Sequence, residues 1–131
     1  MIGEDYISFE TAKLLKEKGF DEKCTHYYKN EKYLVDLGYT NIHSYTNSDL
    51  LEEFTAPTLQ MTMKWLREVH NFNVNTELNI HGYFCSLSHI VRNLSGHIID
   101  IEDSEAWETA YYDSYEQAVE AAIKYCLENL I

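Results

Sequence analysis

The chain has one proline, five glycines and three cysteines among 131 residues. With so few backbone breakers there is no compositional linker, and no internal repeat or low-complexity segment is visible. Neither GxGxxG nor GxxxxGK[ST] occurs, so the Gly-rich cradles that hold phosphate groups on backbone N–H donors are absent. GxSxG is missing as well, and no family-type cysteine signature is present, which removes the common local marks of nucleophilic catalysis. Cys24, Cys85 and Cys126 are widely spaced and odd in number, with no CxxC. They read as reduced thiols of an intracellular protein. No apolar run approaches the ~18 residues that would span a bilayer. The start, Met1-Ile2-Gly3-Glu4-Asp5, is acidic and lacks the apolar centre of a signal peptide. A cytoplasmic location is therefore expected, and the sequon Asn93-Leu94-Ser95 carries no meaning there.

Positive charge is scarce too. The formal net charge is −12, and between Asn93 and Ile123 there are eight acids and no lysine or arginine. Such a field repels nucleic acid and anionic membranes and attracts cationic partners. The competing interpretation is a solvated acidic surface that keeps a small protein dispersed. The opposite excess is tyrosine, of which there are 11. Tyrosine supplies a broad ring and one polar tip, which suits half-buried strands or a binding surface.

The length fits one domain, residues 1–131, divided into a helix–hairpin subregion (1–48) and a helix–strands–helix core (49–131). Ser8 opens a helix through about Lys18, and Gly19 with Phe20 closes it as a Schellman ending. Cys24 to Tyr28 and Lys32 to Leu37 read as the strands of a hairpin around Lys29-Asn30-Glu31. Asp49 to Phe54 reads as one helical turn. A second helix begins near Pro57, with Leu59, Met63, Leu66 and Val69 as its buried stripe and Trp65 on the flank. Phe72 to Asn79 alternates apolar and polar residues as a half-buried strand does. Tyr83 to Val91 and a segment starting at His97 continue the sheet, and Trp107 to Tyr112 extends the third strand or forms a fourth. Ser114 and Gln117 fit a capping box at the head of a last helix. Tyr115, Ala118, Val119, Ala122, Cys126 and Leu130 make its apolar face. The expected fold is α+β: an antiparallel sheet of three to four strands packed on two helices, preceded by a helix and a β-hairpin.

Chemistry is less legible. Cys24-x-His26 and His81-x3-Cys85-x3-His89 supply soft ligands, but residues four apart along a strand lie about 13 Å apart, too far to share one ion. The run Asp100-x-Glu102-Asp103-x-Glu105 lacks the glycine and terminal glutamate of a calcium loop. No metal and no cofactor is expected. Helix–three strands–helix is also the order of a double-stranded RNA-binding domain. That resemblance is topological only, because Asp113, Glu116 and Glu120 stand where phosphate-binding lysines would be needed.

The segments 8–20, 56–70 and 114–124 resemble a family of small uncharacterised proteins of gut Bacteroides-type bacteria, their phages and prophages. The stretches 21–55 and 72–112 match only loosely. The resemblance implies a mobile-element setting and, with it, a small binding protein such as an inhibitor of host defence; it carries no catalytic residue. A non-catalytic accessory protein that engages another protein is thus expected. A variant of this reading is an acidic inhibitor that mimics nucleic-acid charge on a defence nuclease. A small intracellular hydrolase or nucleotide-binding protein with a pocket of tyrosine, histidine and cysteine is the alternative, so a small-molecule ligand stays open. The candidate binding residues are Asp100, Glu102, Asp103, Glu105 and Glu108 around Trp107, and Tyr27, Tyr28 and Tyr33 on the hairpin. An aromatic anchor inside a charged rim is the composition of an interface.

Overall fold

The computed structural model describes residues 3–30, 34–36 and 44–131; the side chains of residues 36 and 104–107 lie outside that description. Lys32, Tyr33 and Leu37 therefore fall outside it, as do the side chains of Glu105 and Trp107. The described residues form three α-helices and two three-stranded antiparallel sheets, an α+β fold as the patterning predicts. They divide into two compact units, 1–59 with Ile131, and 60–130.

In the first unit, α1 (Phe9–Glu17) starts where Ser8 Oγ accepts from the Thr11 amide. It ends as the sequence predicts: Gly19, at φ +87°, donates to Lys16 O, and Phe20 N donates to Leu15 O. Only a residue without a Cβ takes that left-handed conformation at little cost, and the turn brings buried Phe20 back onto the buried Leu15. Strands β1 (His26–Tyr28) and β2 (Leu34–Asp36) pair antiparallel, Tyr27 opposite Val35. A third strand, β3 (Phe54–Thr55), lies on the other side of β1 and packs beside α1. This corrects the single helical turn expected over 49–54. The helical turn found is a 3-10 turn one step earlier, Asn47–Asp49. It is held by Asp21, which accepts from the amide and the hydroxyl of Ser48; these bonds pull its carboxyl below the usual range. Buried Asn47 then joins three segments: its amide donates to Phe20 O at 2.7 Å and its carbonyl oxygen accepts from Thr55 N at 2.9 Å. Lys16, placed late in α1 where the helix dipole favours it, donates to the carbonyls of Leu50 and Glu53.

The helix α2 (Leu59–Val69) buries Leu59, Thr62, Met63, Trp65 and Leu66. Val69 is 54% exposed, contrary to the expected stripe. The helix stops one residue later at His70, and Asn71 takes a left-handed φ of +61°, so position 69 falls in the last turn with the apolar period already ended.

The second unit is a sheet in the order β4 (Phe72–Asn79), β5 (Gly82–Arg92), β6 (Ile98–Glu108), followed by α3 (Tyr115–Asn129), which lies against β4 and β5. The β4–β5 register is unbroken from Phe72–His89 to Asn79–Gly82. Alternation then puts Val74, Thr76, Cys85 and Leu87 on one face and Asn73, Asn75, Ser86 and Ser88 on the other. Gly82 is required at the turn: its φ is +126°, and a Cβ there would meet the Tyr112 carbonyl oxygen at 2.5 Å. Tyr83 and Tyr112 exchange both main-chain hydrogen bonds beside it, so the 107–112 segment, expected to extend the third strand or form a fourth, extends β6 through Glu108 and then adds one isolated bridge. Helix α3 begins at Ser114, whose hydroxyl accepts from Gln117 N. Its buried face is Ala118, Val119, Ala122, Ile123, Cys126 and Leu127. Leu130, expected on that face, is 36% exposed.

Candidate functional site

Among the described residues, strand β6 is the outer strand of its sheet and has a neighbour on one side only. Ile101 pairs with Ile90, Glu102 with His89 and Asp103 with Ser88. The pairing slips at two places. Asp100 stands opposite Val91 and Ile98 opposite Arg92, so Ile99 is an extra residue. Asp103 stands opposite Ser88 and Glu108 opposite Ser86, so residues 104–107 face a single residue of β5. Such bulges bend an outer strand and re-aim its side chains.

Three large apolar side chains on this strand point into solvent: Ile98 is 55%, Ile99 63% and Ile101 58% exposed. The carboxylates Asp100, Glu102, Asp103 and Glu108 are exposed among them. Alternation places Asp100 and Glu102 on one face of the strand and Ile101 and Asp103 on the other. The acidic run is thus split over both faces along one edge, where a single acidic patch was expected.

Each of the three central carboxylates is held. Asp103 Oδ1 accepts from Ser88 Oγ at 2.7 Å, and that hydroxyl accepts from the Asn75 amide at 2.7 Å. Asn73 extends the chain by donating to Asn75 Oδ1 at 2.7 Å. This relay crosses all three strands and ends on Asp103. Ser88 is 4% exposed, so its hydroxyl needs such partners. On the opposite face Glu102 lies 3.5 Å from His89 Nδ1. Both side chains are largely exposed, so this pair orients the carboxylate more than it stabilises the fold. Asp100 Oδ1 accepts from the amide of Ile101 at 2.8 Å.

The candidate residues of the hairpin belong to the other unit. Tyr28 is committed to packing: its hydroxyl donates to Ile7 O at 2.7 Å and its ring meets Phe9 edge-on. Tyr27 is half-buried between Val35 and Thr55. His26 stacks on Tyr6 with ring centres 4.0 Å apart. Tyr33 lies outside the described residues.

Among the described residues, no three His, Cys, Asp or Glu side chains gather as metal ligands. His81 lies against Tyr111, Cys85 is buried with Sγ 3.2 Å from Thr76 Oγ1, and His89 is committed to Phe72 and Glu102. Cys24, Cys85 and Cys126 are free and buried. Burial pushes Cys24 up to about 11 and Cys126 up to about 12, and raises Cys85 as well. A thiol that stays protonated is a poor nucleophile. No helix among the described residues is long and apolar enough to cross a membrane.

Sequence reasoning selected the carboxylates of β6 but missed the three isoleucines between them, because Ile98-Ile99-Asp100-Ile101 has the look of a half-buried strand. It also missed the Asn73–Asn75–Ser88 relay, whose members alternate along two strands and are visible only as polar positions opposite an apolar face. Comparison with protein families, with characterised proteins and with solved structures gives no match.

Proposed function

We propose that this chain is a non-catalytic binding protein that engages a basic partner protein through strand β6. The observation that carries this reading is the outer strand itself, which displays Ile98, Ile99 and Ile101 beside Asp100, Glu102, Asp103 and Glu108. Apolar side chains supply area to bury, while a rim of one charge steers the approach of the opposite charge and rejects like-charged partners. The absence of lysine and arginine between Asn93 and Ile123 keeps that field uncompensated over the whole segment. The resemblance of the helical segments to mobile-element proteins suggests the setting, a phage or prophage gene, and a partner that belongs to host defence. A basic site built to hold nucleic acid is the surface such a protein would occupy.

The test is capture on the intact protein from a lysate of a Bacteroides-type host, with an Asp100→Lys/Glu102→Lys variant in parallel. The expected outcome is a basic protein retained by the parent and released as salt is raised. The variant should hold it about tenfold less or weaker, at an unchanged melting temperature, because both positions are exposed. Equal retention by parent and variant, insensitive to salt, overturns the reading.

A further inference from the structure

We infer that β6 takes up an extended cationic segment of its partner as a fourth strand of the sheet; this rests on the acidic-binder reading above and specifies how it works. The main-chain geometry points the same way. The Ile90 amide donates to Asn71 O at 2.7 Å, on the β4 side of the sheet. In an antiparallel ladder a residue turns its N–H and C=O to the same side, so the Ile90–Ile101 pair is a non-hydrogen-bonded one. Ile101, and Asp103 two residues on, therefore direct their main-chain groups away from β5, into the open edge. There the Ile101 amide is occupied by the chain's own Asp100 carboxylate. That oxygen stands where the carbonyl of an added strand would sit.

The side chains define what kind of strand fits. Ile101 offers an apolar neighbour on one face, with Asp103 beside it, and Glu102 lies on the other. An incoming strand that alternates, with an apolar residue against Ile101 and lysine or arginine against Glu102, satisfies both, while Asp103 keeps its bond from Ser88. A further cation gives Asp100 a new partner when the Ile101 amide changes hands. A second copy of this chain is the wrong occupant: edge-to-edge pairing would set carboxylates against carboxylates in a protein of net charge −12.

The probe is a soluble peptide of alternating lysine and valine, compared with a peptide of equal charge in which prolines replace alternate valines. Both are titrated into the intact protein at low salt, and sedimentation follows its oligomeric state. The alternating peptide should bind, the proline peptide about tenfold or more weakly, and the Asp100→Lys/Glu102→Lys variant should bind neither well. Equal binding of both peptides to the parent would overturn strand addition while leaving the acidic-binder reading intact. Binding of neither would overturn both. Concentration-dependent dimerisation abolished by Ile101→Pro would make a second copy the occupant and overturn the cationic strand.

Discussion

The double substitution Ile123→Ala/Leu127→Ala is expected to abolish cooperative unfolding. Both side chains are fully buried, one turn apart on the inner face of α3, the helix that covers β4 and β5. Truncating a buried leucine or isoleucine to alanine costs about 2–5 kcal/mol through lost transfer energy and the cavity left behind. Two adjacent losses approach the ~5–15 kcal/mol total stability of a domain. The remaining buried positions of that face cannot compensate, since Ala118 and Ala122 are already small. Circular dichroism on heating should show a sloping, non-cooperative loss of signal. A sharp transition near the parent's temperature would mean that α3 is not integral to the fold.

The second large effect is expected at Asn47→Ala. One buried side chain here serves two backbone groups: Phe20 O after α1 and Thr55 N in β3. Alanine removes this partner from both groups, and a lost hydrogen bond to a buried group costs up to about 1–3 kcal/mol where the group is left unsatisfied. The sum, up to roughly 2–6 kcal/mol, is a large share of a marginal stability. The urea midpoint should fall accordingly with the slope of the transition unchanged. A shift within the error of the midpoint would show that water or a rearranged side chain replaces both bonds.

These two sites illustrate what could be read from the sequence. The inner face of α3 was legible because its apolar spacing is local, and Ser114 marks the start with a hydrogen bond inside its own turn. The end of α1 was legible for the same reason, as Gly19 and Phe20 complete a motif within six residues. The β4–β5 hairpin followed from strict alternation and from Gly82. Asn47 was not legible. Its partners lie 27 and 8 residues away, so only the folded chain brings them together. Strand β3 is two residues long and exists because Phe54 and Thr55 pair with β1, which overrides any local preference for a turn. Val69 and Leu130 continue the apolar period of their helices but sit at the ends and are exposed. For β6 the charges were legible and the exposure of its isoleucines was not. Composition marks a residue as apolar; only the strand order says that it lies at an edge.

The most direct test of the account is amide hydrogen exchange of the intact protein, free and saturated with its captured basic partner. The amides of Ile123 and Leu127, bonded within α3 whose inner face is buried, should be protected in both states. The amides of Ile101 and Asp103, which face the open edge, should exchange faster in the free protein and slow markedly in the complex. Protection that instead develops at Tyr27 and Tyr28, with Ile101 and Asp103 unchanged, would contradict β6 as the binding surface.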